Sequence, residues 1–394
     1  MTERVAIVAA KRTPIGKFLG VFSDLPAVDL GRTAVQGVLN ASSIAPGEVQ
    51  EVILGMARQA GAGPNPARQA SVLAGIPVEV PAFTVNQACA SGLQAILLAA
   101  DRIRLGEASI LIAGGMESMT QVPYLLPRAR RGYRMGHDDV VDAMYKDGFL
   151  CPLAKQLMGE TAETLAKQYS ISREEQDRFA ARSQNRAQKA REAGRFQDEI
   201  VPVRLRNKKA DIEVSGDEHP RDDVTWESLS SLSPVFDKNG TITPGNSSGI
   251  TDGAAALLLV SEAELTRRGL RPMAWVERGV TRALDPKVMG LGPVPAVRAL
   301  EAVTKRPLKD YDLVELNEAF AAQVLAVDRE LGFDPERLNV NGGAISLGHP
   351  IGASGARIVV TLLHEMARRK APTGLATLCV SGGLGVAASF LRDP

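Results

Sequence analysis

The feature that most constrains this chain is an internal echo. Thr84-Val85-Asn86 followed by Ala90-Ser91-Gly92 returns as Asn339-Val340-Asn341 followed by Ala353-Ser354-Gly355, and Ile112-Ala113-Gly114-Gly115 returns as Val380-Ser381-Gly382-Gly383. One such match alone is a coincidence of small-residue turns. Matches in shared order favour duplication, hence two related halves. Short β-branched runs (Val5-Ala6-Ile7-Val8, Glu51-Val52-Ile53-Leu54, Ile110-Leu111-Ile112) alternate with helical patterns over 91–105 and 161–193, which predicts an α/β fold with buried central strands. Residues 120–250 interrupt the pattern with Arg128-Ala129-Arg130-Arg131, a long polar helix and a polar stretch from Lys208 to Ser233. The expected organisation is a first half over 1–119 with about 250–272, an inserted loop domain over 120–249, and a second half over 273–394. The charged helix 173–195 reads as a solvated face, and the basic cluster 128–134 as surface or a contact with a partner subunit.

At 394 residues and 45% apolar content the chain can bury a sizeable core, while a formal net charge of +1 provides no overall field for nucleic acid or an anionic membrane. Any phosphate-bearing ligand must be held by local basic residues. Cys89, Cys151 and Cys379 are far apart, with no CxxC pair and no clustered histidines, so free thiols in a reducing compartment are expected and a metal site is not. The apolar stretch Val5 to Ala10 is too short for a signal sequence and runs into Lys11-Arg12. No apolar run approaches the roughly 18 residues of a membrane span, and the chain ends Leu391-Arg392-Asp393-Pro394 without a peroxisomal tripeptide. These features lead to the expectation of a cytoplasmic protein.

Four segments could carry chemistry. In Thr84-Val85-Asn86-Gln87-Ala88-Cys89-Ala90-Ser91-Gly92-Leu93 a strand gives way to a helix, setting Cys89 at a helix N-terminus, where free N–H groups and the dipole favour a thiolate. An inert packed cysteine is the alternative. His349, between Gly348 and Pro350 in a glycine-punctuated loop, could activate a thiol or donate to an oxyanion. Leu378-Cys379-Val380-Ser381-Gly382-Gly383-Leu384-Gly385 places a second cysteine at a strand end, so that two cysteines could face one cleft. Its glycines mimic a dinucleotide fingerprint, but too few residues follow to build that site. In Asn317-Glu318-Ala319-Phe320 the carboxamide can orient a water or a histidine, while Glu318 could instead be an ordinary helix-start charge.

Together, VNxxCxSG around Cys89, NEAF at 317–320, GHP at 348–350 and CxxGGxG at 379–385 resemble the thiolase family, as do GGMESM at 114–119, GRFQDEIVP at 194–202 and GNSSGITDGAAA at 245–256. The resemblance implies a thiolase fold of two duplicated α/β halves with central mixed sheets. It implies Cys89 as acyl carrier, Cys379 as proton-transferring cysteine, and His349 as activator of the nucleophile and enolate stabiliser. Asn317 would hold a water in the same oxyanion hole, and a second hole would use the N–H groups of Cys89 and Ser381. Ser381 departs from the family's usual glycine. By position, Arg221, Ser228 and Ser248 are implied contacts for CoA, which is substrate and product; no metal or redox cofactor is implied. Met158, Met289 and Phe320 would shape the substrate pocket, the two methionines matching the short-chain branch that forms acetoacetyl-CoA. Leu157 stands where that branch often has histidine, which leaves a broader-chain 3-ketoacyl-CoA thiolase open. Ser381 alone would suit a non-catalytic acyl-CoA binding protein. A homotetramer is implied, with residues 124–140 resembling the loop that joins dimers.

Overall fold

The structure, a computed structural model, describes residues 3–206 and 210–392; Lys208, where the polar stretch begins, and Asp393-Pro394 lie outside them. The first half lays down β1 (Val5–Arg12), β2 (Glu51–Gly55), β3 (Ala82–Val85), helix α1 (Ser91–Arg104) and β4 (Ile110–Ser118). Helices α2 (Met158–Gln168) and α3 (Arg173–Glu192) follow, before the chain returns in β5 (Thr251–Ser261). The second half contributes β6 (Ala274–Ala283), β7 (Leu313–Leu316), α4 (Ala321–Leu331), α5 (Ile351–Arg369), β8 (Thr373–Val380) and β9 (Leu384–Leu391).

The duplication is visible in strand order. The first half runs β3-β2-β4-β5-β1, and the second runs β7-β8-β9-β6, with Leu338 bridged in parallel to Val314 where the counterpart of β3 would lie. In both, a parallel pair (β2–β4 and β7–β8) is followed by an antiparallel one (β4–β5 and β8–β9). A short antiparallel seam, Ala6 with Trp275 and Ile7 with Ala274, joins them into one ten-stranded mixed sheet. β4 and β5 are buried along their whole length, as expected of strands covered on both faces.

The echoed Ala-Ser-Gly triplets open α1 and α5, which cross in the middle of the molecule. A Cβ at Gly92 would meet the Ala356 nitrogen at 2.7 Å, and one at Gly355 would meet the Leu93 nitrogen at 2.5 Å. The glycines recur because each helix is the other's close neighbour. Behind the crossing, Leu93, Ile96 and Ile103 interleave with Ile358, Leu362 and Met366 in one core.

Two expectations are corrected here. Helix α3 is solvated on one face only: Glu174, Glu175, Arg178, Lys189, Arg191 and Glu192 are exposed, but Gln176, Asp177, Phe179, Ser183, Gln184 and Ala187 are buried. Asp177 accepts from Asn246 Nδ2 at 3.0 Å and Gln176 donates to Thr241 Oγ1 at 2.9 Å, while the Gln176 amide oxygen has no partner. Glu318 is not a helix-start charge. It is buried and accepts from the Ser183 hydroxyl (2.6 Å), Asn339 Nδ2 (2.9 Å) and the Ile345 N–H (3.2 Å), tying α3 to the second half. Among the described residues no helix is long and apolar enough to cross a membrane, and no three His, Cys, Asp or Glu side chains gather as metal ligands.

Candidate active site

β3 delivers the chain into a strained elbow. Ala88 lies in the left-handed region (φ 46°), which costs a non-glycine residue roughly 1 kcal/mol. The surrounding motif holds it there: Asn86 Oδ1 accepts the Ala88 N–H (3.0 Å), while Ser91 Oγ accepts the Gln87 N–H (2.9 Å) and donates to the Ala88 carbonyl (2.7 Å). Cys89 sits at the apex, half-buried, immediately before α1.

His349 comes from the opposite half. Gly348 takes φ 102°, a conformation that favours glycine, and turns the chain so that the imidazole stands at the head of α5. Its Nε2 lies 3.3 Å from Cys89 Sγ and its Nδ1 2.5 Å from Ser354 Oγ. Ser354 donates its single hydroxyl proton to the Pro350 carbonyl at 3.0 Å, so its oxygen accepts from Nδ1–H. This places the proton on Nδ1 and points the Nε2 lone pair at the thiol, the orientation of a general base.

The electrostatics correct the expectation of a lowered thiol pKa. Burial pushes the Cys89 thiol above the ordinary cysteine value; the charge of Arg58 and the N–H groups of Ser381 and Cys89 itself pull it only part of the way back. Burial, with Arg357 and Arg58 adding, pushes His349 down to about 3. The resting pair is therefore neutral thiol and neutral imidazole. Cys379, at the end of β8, is pushed up by burial and then by the nearby Cys89 sulfur. Glu117, from the GGMESM segment, accepts from the N–H groups of Ala57, Arg58 and Gly352 and so locks the loop after β2 to the start of α5.

Cys89, His349, Cys379 and Ser381 line one cavity of about 490 Å³, together with Arg221, Ser248, Met158, Met289, Phe320 and Leu157. Met289 and Phe320 share one hydrophobic cluster with Cys379, and Met158 and Phe236 pack against that cluster. Ser381 has no positive φ, so its side chain is tolerated without backbone strain; the left-handed positions are Gly382 and Gly383. Asn317 is wholly buried behind the lining, and neither its amide oxygen nor its nitrogen has a partner. Ser228 is not brought to the cavity: it is exposed, and its hydroxyl donates to the Thr225 carbonyl at 2.7 Å within a helix cap. Sequence reasoning missed Arg58, Phe149 and His219, which also line the cavity. They come from three separate segments of the chain, and only the tertiary fold brings them together.

A duplicated α/β fold that presents a cysteine–histidine pair to a deep cavity defines an acyl-transfer class of enzyme. The chain belongs to the thiolase family: residues 5–263 match the thiolase N-terminal domain and 270–392 the thiolase C-terminal domain. It is 53% identical to an acetyl-CoA acetyltransferase of Shinella zoogloeoides, over 98% of both chains, and 50% identical to one of Cupriavidus necator over 100% of both. Among solved structures it is similar to the Bacillus anthracis acetyl-CoA acetyltransferase (TM-score 0.97, 45% identity, 99% of both chains). The human mitochondrial 3-ketoacyl-CoA thiolase is also similar (TM-score 0.96, 40% identity, 99% of both chains).

Proposed function

We propose that this thiolase-family acyltransferase condenses two molecules of acetyl-CoA reversibly into acetoacetyl-CoA and CoA, through an acyl group carried on Cys89. The observation that carries the reading is the 3.3 Å contact of His349 Nε2 with Cys89 Sγ, in a cavity shared with Cys379. The acetyl-CoA acetyltransferase names of the half-identical relatives support the substrate.

The proton bookkeeping closes on this chain's own groups. His349 takes the Cys89 proton; the thiolate attacks the acetyl-CoA carbonyl, and the N–H groups of Cys89 and Ser381 receive the oxyanion. CoA leaves as a thiolate and takes the proton of Cys379. Cys379, now a thiolate beside the His349 imidazolium, is a strong base because burial disfavours its charge. It removes the α-proton of the second acetyl-CoA, whose enolate oxygen is received by His349 and a water held by Asn317. The α-carbon attacks the acyl-enzyme, the C–S bond breaks, and His349 returns its proton to Cys89. Arg221 and Ser248 would hold CoA; no metal or redox cofactor enters a step. A cytoplasmic homotetramer completes the reading, Tyr124, Leu126, Met135 and Val140 being exposed apolar side chains in the 124–140 loop; light scattering tests it.

The purified chain is expected to cleave acetoacetyl-CoA in the presence of CoA and to form it from acetyl-CoA; failure in both directions sinks the proposal. Because Met158, Met289 and Phe320 bound the cavity on the side of the Cys379 cluster, uncharged 3-oxoacyl-CoA substrates of ten carbons or so should have kcat/KM at least about tenfold lower. Equal or better values would favour the broader-chain reading left open by Leu157. Ser354 is a positioning residue: Ser354→Ala should lower kcat/KM about tenfold through loss of the tautomer-setting bond, and Ser354→Thr should restore most of it. Loss of thermal stability with unchanged kcat/KM would assign Ser354 to packing alone.

A further inference from the structure

Arg58 follows β2 and is only 7% exposed, yet its guanidinium is largely unspent. Nε has no partner, and Nη1 reaches only the Ala57 carbonyl at 3.5 Å. Among the described residues no carboxylate forms an ion pair with it. Glu117 lies near enough to feel its charge, but the Glu117 oxygens accept three backbone N–H groups. The guanidinium is pressed against Gly148, where an added Cβ would meet Nε at 2.6 Å, and it lines the cavity with Cys89, Phe149 and Ile351. A largely buried cation with no carboxylate in direct contact is poised to take an anion that arrives with the ligand. CoA cannot supply that anion beside the nucleophile. Its phosphates lie at the far end of an uncharged pantetheine arm whose thiol end must reach Cys89. Met158, Met289 and Phe320 form an apolar cluster with Cys379, whereas Arg58 offers a charged side chain on the lining it shares with Cys89.

We propose that Arg58 receives a carboxylate at the end of the acyl group, so that the enzyme also cleaves and forms 3-oxoacyl-CoA thioesters whose acyl chain ends in a carboxylate. The inference rests on the thiolase reaction at Cys89. For the CoA thioester of 3-oxohexanedioic acid, the Cys89 thiolate attacks C3 and the C2–C3 bond breaks. Acetyl-CoA leaves with the proton of Cys379, and a four-carbon acyl group remains on Cys89 with its carboxylate on the Arg58 fork. The thiol of CoA then displaces that acyl group and returns a proton to the site.

The test compares thiolysis by the wild-type enzyme of two six-carbon substrates, the CoA thioesters of 3-oxohexanedioic and 3-oxohexanoic acid, with acetoacetyl-CoA as reference. The charged substrate is expected to have at least about tenfold higher kcat/KM than its uncharged counterpart, and Arg58→Met to lower that ratio about 10- to 100-fold, with Arg58→Lys keeping part of it. A wild-type preference for the uncharged substrate overturns the proposal even if the variants fail to fold. So does an equal loss on both substrates in Arg58→Met, which would make Arg58 a support for the Cys89 thiolate. Cleavage of acetoacetyl-CoA alone rejects this inference and leaves the proposed function standing; no cleavage of any of the three rejects both.

Discussion

Cys89→Ser is expected to lower turnover by on the order of 10⁴-fold or more, in both directions, with folding preserved. Sulfur and oxygen differ little in size at this elbow, and the contacts that hold the turn come from Asn86 and Ser91, so the variant keeps the cavity. What it loses is a nucleophile whose proton a neutral imidazole can take. A serine hydroxyl is far less acidic than even the raised thiol. Cys379→Ser should lose turnover by a similar factor for a different reason: acylation of Cys89 still occurs, but no group of matched basicity removes the α-proton. Rapid-quench measurement of CoA release separates the two. A burst of about one CoA per site is expected in Cys379→Ser and none in Cys89→Ser; equal loss of the burst in both would end the division of labour between the cysteines.

His349→Ala should cost roughly 10²- to 10⁴-fold in kcat/KM, the range for removal of a positioned general base. The pH dependence sharpens this. Burial depresses the imidazole to about 3, so the group is neutral, and competent as a base, at every pH above about 4. The kcat/KM profile of the wild-type enzyme should therefore show no acid limb near the ordinary imidazole value of about 6.5. A limb centred there, absent from the His349→Ala profile, would mean that the histidine is less desolvated than its surroundings indicate.

Much of the architecture was legible because small residues leave local signatures. The Ala-Ser-Gly echoes marked the two helix starts whose backbones meet at Gly92 and Gly355, and the β-branched runs at 51–54 and 110–112 became buried strands. The site was legible where backbone geometry demands particular residues: Asn86 and Ser91 around the strained Ala88, and Gly348 before His349. Quantities set by burial were not. The helix N-terminus beside Cys89 argued for a lowered thiol pKa, yet desolvation outweighs it, and desolvation is a property of everything that folds over the residue. The burial of Gln176, Asp177 and Ser183 on α3 and of Glu318 was not legible because their partners lie far away in sequence: Ser183 meets Glu318 across 135 positions. Arg58 had no local signal at all, and Ser228 was placed by family position but spends its hydroxyl on its own helix cap.

The most direct test of the central claim is mass spectrometry of peptides from enzyme quenched after brief exposure to acetyl-CoA. Up to one acetyl group per chain is expected on the peptide carrying Cys89, at higher occupancy in Cys379→Ser than in the wild-type enzyme. An acetyl group on Cys379, or labelling of neither cysteine while turnover proceeds, would contradict the account.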